Sequence, residues 1–99
     1  MDQTKLRTLV DRYAPMLRSS GVTELYLFGS RARGDHRPES DLDLFIDYDP
    51  GRQIPSYFRL IEIEQKLSED SGIPVSITTR QSLHPLMRQA VESEAIRLM

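Results

Sequence analysis

The spacing of hydrophobic residues changes along this chain, and each change marks an element. Leu6, Leu9, Val10, Tyr13 and Leu17 recur every three or four residues, which predicts an amphipathic N-terminal helix with Thr4 as its cap and a kink or restart at Pro15. Glu24 to Phe28 is short, apolar and aromatic between Gly21 and Gly29, the pattern of a buried strand. From Asp41 to Tyr48 the period is two. Leu42, Leu44, Ile46 and Tyr48 share one face, and Asp41, Asp43, Phe45 and Asp47 share the other. Asp49-Pro50-Gly51 then makes a turn, and Pro55 lies near the start of a helix that carries Tyr57, Leu60, Ile61 and Leu67 on one face and stops at Gly72. Ile73 to Thr79 is a third strand. Leu86, Met87, Ala90 and Val91 mark a last helix from about Ser82, and Glu94 to Met99 either continues it or adds a short strand. The fold class predicted is α/β (α+β): a small mixed sheet with helices packed on it, the crossover rule setting the Pro55 to Leu67 helix against one face.

Length fits one domain over residues 1–99. Its core is only just adequate, so association into an oligomer or with another protein is compatible with it. The net charge is −2, and six of the 15 acids (Asp35, Glu39, Asp41, Asp43, Asp47 and Asp49) fall between positions 35 and 49. That disfavours nucleic acid as the main ligand, because phosphate backbones reward a basic face, and it favours bound cations. With no cysteine, disulfides and thiolate metal sites are excluded. No apolar run is long enough to span a membrane, and Met-Asp-Gln-Thr-Lys at the N-terminus lacks the regions of a signal peptide, so a cytoplasmic protein is expected.

The candidate chemistry lies in residues 29 to 44, Gly-Ser-Arg-Ala-Arg-Gly-Asp-His-Arg-Pro-Glu-Ser-Asp-Leu-Asp-Leu. Gly29 ends the first strand and tolerates a close ligand, while Ser30 is placed to cap the helical turn of Arg31, Ala32 and Arg33; a phosphate would sit at that helix start. Gly34 closes the turn. Asp41 and Asp43 point the same way from their strand, roughly 7 Å apart along it, within reach of a shared cation. Mg2+ suits such a pair, since it is held by one or two carboxylates together with substrate phosphates and water. An Asp-x-Asp alone reads more simply as the solvated face of an edge strand, and a glycine-serine turn alone says little; it is the pairing, with a strand before each, that points to nucleotide transfer.

Gly-Ser-x-Ala-x-Gly-x-x-x-x-x-Ser-Asp-x-Asp-Leu resembles the signature of the nucleotidyltransferase superfamily related to DNA polymerase beta, and the chain from Val22 onward is similar to the minimal nucleotidyltransferases. The resemblance implies the polymerase beta-like fold. It also implies that Gly29 and Ser30 hold the triphosphate of ATP or another NTP, and that Asp41 and Asp43 ligate Mg2+ as the catalytic acids. Many such proteins are antitoxins of HEPN-domain ribonuclease toxins, some by transferring AMP to a toxin tyrosine. The absence of room for an acceptor-binding domain counts against a polymerase or an antibiotic-modifying enzyme. Arg33, with Arg31 beside it, is a candidate clamp for the triphosphate. Ser40 joins the candidate nucleotide-binding set as the residue that caps or orients the start of the metal strand.

One position departs from the family. A third carboxylate is expected on the later strand, in a pattern like Val-Asp-Leu, and here Pro74-Val75-Ser76-Ile77-Thr78 puts Ser76 in its place. A serine hydroxyl is a poor base and a weak metal ligand. Asp47 shares the face of Asp43 but lies roughly 13 Å further along, too far for the same ion. Two functions follow: a nucleotidyltransferase that modifies a HEPN toxin, or a catalytically impaired relative that neutralises the toxin by binding alone. His36 and His84 lack metal-ligand spacing and read as loop or solvated residues.

Overall fold

The computed structural model describes residues 2–99. Helix α1 (Gln3–Ser19) begins at Asp2, whose side chain accepts the Lys5 N–H at 2.8 Å. Asp2 therefore caps the helix in place of the expected Thr4. Pro15 sits inside α1 without ending it, at an exposed position, while buried Val10 and Leu17 hold the helix to the core on either side. The carbonyl that proline leaves without a partner, on Asp11, is on an exposed residue where water can solvate it.

Strand β1 (Val22–Phe28), the single-turn helix α2 (Ser30–Arg33) and strand β2 (Leu42–Tyr48) follow. Helix α3 (Tyr57–Ser71) crosses over to strand β3 (Val75–Thr79), which lies parallel to β2. A 3-10 turn (Arg80–Ser82), helix α4 (Pro85–Glu94) and the short strand β4 (Ile96–Arg97) complete the chain, so the tail adds a strand. The sheet order is β3-β2-β1-β4, with both neighbours of β1 antiparallel to it. This is the mixed sheet expected.

The alternation along β2 gives each sheet face its own cover. Leu42, Leu44 and Ile46 join Leu25 and Leu27 of β1 beneath α1 and α3 in the main core. On the opposite face Phe45 is fully buried, stacked on Tyr26 with centroids 4.8 Å apart and packed with Leu83 and Val91. Leu60, Ile63 and Leu67 form the buried stripe of α3; Tyr57, expected in it, is exposed and packs edge-on against Phe58. In α4 only Val91 is buried, and Leu86 and Met87, two of the apolar residues that marked the helix, project outward. The helix starts at Pro85, later than Ser82, because proline suits a first turn and His84 Nδ1 caps it by accepting the Leu86 N–H. No helix among the described residues is long and apolar enough to cross a membrane.

Candidate functional site

The sheet register assembles the site. Phe28 at the end of β1 pairs with Asp43, and Asp43 pairs with Ser76 at the start of β3. Asp43 thus lies on a central strand, on the face away from the main core, beside the turn that follows Phe28. That turn is made by Gly29, at φ 78° and ψ −159°, a conformation essentially reserved for glycine. A Cβ at Gly29 would lie 2.5 Å from Asp43 Oδ2. The missing side chain is what lets the carboxylate lie against the turn, and it links the two sequence motifs physically.

Gly29 is itself the N-cap of α2, the role expected of Ser30, which instead occupies the first helical position. The Gly29 carbonyl accepts the N–H groups of Ala32 and Arg33, both at 3.1 Å, and left-handed Gly34 returns its N–H to the Ser30 carbonyl at 2.9 Å. The leading N–H groups of such a turn have no intrahelical partner and are suited to an anion.

Asp41 falls one residue before β2 and is exposed, so the strand is shorter than the alternation suggested. Its charge still reaches Asp43. Burial, and then the Asp41 carboxylate, push the Asp43 carboxyl above the usual aspartate range, against a smaller opposing effect of Arg33. A divalent cation would relieve both causes, which makes the pair a fit for Mg2+ completed by substrate oxygens. Among the described residues no cluster of three or more potential metal ligands exists, so the two aspartates have no third protein acid with them. Exposed Ser76 stands in register beside Asp43 where that acid is expected.

The loop between the motifs is pinned from within. The Arg31 guanidinium, only 8% exposed as a residue, donates to the Ser40 carbonyl from Nε at 3.1 Å and from Nη2 at 3.0 Å, and to the Pro38 carbonyl at 3.2 Å. Arg31 is therefore turned inward to hold the loop and is not presented to a phosphate. The Ser40 hydroxyl accepts the Arg37 N–H at 2.9 Å, which shapes the chain just before Asp41. Arg33 is half exposed and pairs with Asp35 at 3.1 Å and with Glu94 at 3.2 Å.

Glu94, the last residue of α4, also accepts the Gly29 N–H at 3.2 Å. It was not legible as a site residue: it lies 65 positions from Gly29, in a segment without a motif, and only tertiary packing brings it to the turn. Asp47, on the face of Asp43, is taken by Arg80, whose Nε and Nη2 donate to its two oxygens at 2.7 and 2.8 Å. The guanidinium also lies over the rings of Tyr26 and Phe45, and the Asp47 hydrogen bonds raise its pKa. Asp47 is thus a structural ion-pair partner.

Known proteins share this domain and fold. The nucleotidyltransferase domain matches residues 6–98. The protein adenylyltransferase MntA of Thermococcus cleftensis is 33% identical over 76 residues, which span 77% of this chain and 74% of that protein. A minimal nucleotidyltransferase of known structure superposes with a TM-score of 0.76 at 31% identity, covering 97% of this chain and 95% of that one. The same fold occurs in the structure of a tri-AMPylated Shewanella oneidensis HEPN toxin in complex with its MNT antitoxin, at a TM-score of 0.64 and 19% identity, covering 94% of this chain and 71% of that one. With its glycine-serine turn closed onto an aspartate of the central strand, and with that domain matched along nearly its whole length, this chain belongs to the nucleotidyltransferase family and, within it, to the minimal nucleotidyltransferases.

Proposed function

We propose that the protein is an Mg2+-dependent adenylyltransferase that moves AMP from ATP to a hydroxyl of a HEPN toxin partner and so acts as its antitoxin. The observation that carries this reading is the seating of the Asp43 carboxylate against Gly29, which would set a metal-bound triphosphate between turn and strand. The turn N–H groups and the Ser30 hydroxyl bind phosphate oxygens, Arg33 neutralises their charge, and Asp41 and Asp43 are the residues that would hold the cation. Bound Mg2+ supplies charge neutralisation at the α-phosphate and at the leaving pyrophosphate. The acceptor oxygen attacks the α-phosphorus, the bond from that phosphorus to the bridging oxygen breaks, pyrophosphate departs, and the hydroxyl proton passes to solvent. Positioning and electrostatics supply most of the catalysis. The choice of ATP and of a HEPN acceptor is supported by the adenylyltransferase relative and by the AMPylated toxin complex.

A second reading, neutralisation by binding alone, is favoured by Ser76, because a site without its third acid activates the hydroxyl poorly. One experiment separates them: the intact mass of the HEPN partner after incubation with this protein, Mg2+ and each nucleoside triphosphate in turn, repeated with Asp43→Asn. A gain of one or more AMP masses with ATP, lost in the variant, is expected. A stable complex with no gain in mass would replace the enzyme reading with the binding one.

A further inference from the structure

Glu94 has no part in the scheme above, yet it holds two of the groups that scheme assigns to the triphosphate. Its Oε1 accepts the Gly29 N–H at 3.2 Å, and both its oxygens accept from Arg33 Nη1, at 3.3 and 3.2 Å. A carboxylate at the C-terminal end of a helix is unfavourably placed against the helix dipole, and the last turn of α4 has no basic residue to offset it. Glu94 is therefore held by the turn and by Arg33. Its side chain is 19% exposed, so the carboxylate sits at the edge of the site and reaches solvent.

We propose that Glu94 is an internal competitor of the triphosphate. Its carboxylate occupies the anion-binding groups of the resting site, and nucleotide binds by exchanging with it, Arg33 passing from Glu94 to a phosphate oxygen. One N–H cannot serve two anions at full strength, and the Arg33 guanidinium, already paired with Asp35, would carry a third anion if Glu94 stayed in place. This inference rests on the nucleotide-binding reading above.

The test is calorimetric titration of the full chain with Mg2+-ATP, without acceptor, comparing wild type, Glu94→Gln and Glu94→Ala. Glu92→Gln removes one charge from the same helix at a residue that pairs with Arg80, away from the turn, and serves as the control. Glu94→Gln should bind roughly tenfold more tightly, the gain expected when a ligand need not break a charge-assisted hydrogen bond, and Glu92→Gln should match wild type. Equal or weaker binding by the Glu94 variants, or an equal gain in Glu92→Gln, overturns the competitor role alone. Absence of binding by every form, wild type included, overturns the nucleotide reading and the competitor with it. Wild-type NMR provides a check that needs no variant: on adding ATP, the Gly29 amide and the Glu94 carboxyl carbon should shift together, and an unmoved Glu94 carboxyl overturns the exchange.

Discussion

Gly29→Ala tests the joint between the two motifs. The substitution has two separable costs. A non-glycine residue held at φ 78° and ψ −159° is strained by about 1–3 kcal/mol. The new Cβ, 2.5 Å from Asp43 Oδ2, must also displace the carboxylate, an overpacking cost of about 1–3 kcal/mol. A total of about 4 kcal/mol lowers the melting temperature of a domain this size by roughly 16–32 °C. Thermal denaturation followed by circular dichroism reads this directly, and repeating it in an Asp43→Ala background divides it. Without the carboxylate the backbone strain remains, but the nearest remaining contact, Asp43 Cβ at 3.4 Å, is ordinary, so Gly29→Ala should cost about 1–3 kcal/mol less there. An unchanged melting temperature would refute the reserved backbone conformation. Equal costs in both backgrounds would refute the contact between Gly29 and Asp43.

Other consequences can be measured independently. Burial and the Asp41 charge raise the folded-state pKa of Asp43, so its contribution to stability is fully present below the unfolded value and is lost as pH rises through the folded one. Metal-free Asp43→Asn should therefore melt above wild type at pH 7, with the advantage gone below about pH 4; a constant difference at all pH values would refute this sign. Arg80→Ala leaves the partly buried Asp47 carboxylate without its bidentate partner and should cost about 2 kcal/mol in urea denaturation while Mg2+-ATP affinity is retained. Ser76→Asp restores a carboxylate beside Asp43 and should speed AMP transfer at least ~10-fold in a toxin-modification assay, unless position 76 is not that of the missing acid.

The sequence by itself determined the first three strands and the two-faced character of β2, because a period of two against a period near 3.6 is written in the side chains, whereas the tail became β4 only by pairing with β1. It also determined the glycine-serine turn and the paired aspartates, which are local in the chain. Boundaries moved wherever an end is fixed by capping: Asp2 replaced Thr4, Gly29 replaced Ser30, and Pro85 with His84 set the start of α4. The burial of Phe45 on the site's own face, the exposure of Leu86 and Met87, and the capture of Asp47 by Arg80 came from how elements distant in sequence stack. The two arginines of the turn show the division most sharply. Arg31 and Arg33 stand two apart with equal claim to a phosphate, yet one is buried under carbonyls from its own loop and the other faces Glu94. Periodicity fixes which side of an element is apolar, since burial of that side dominates the local energy. Which charged group meets which depends on contacts that exist only once the sheet register is set, and only the tertiary structure decided those.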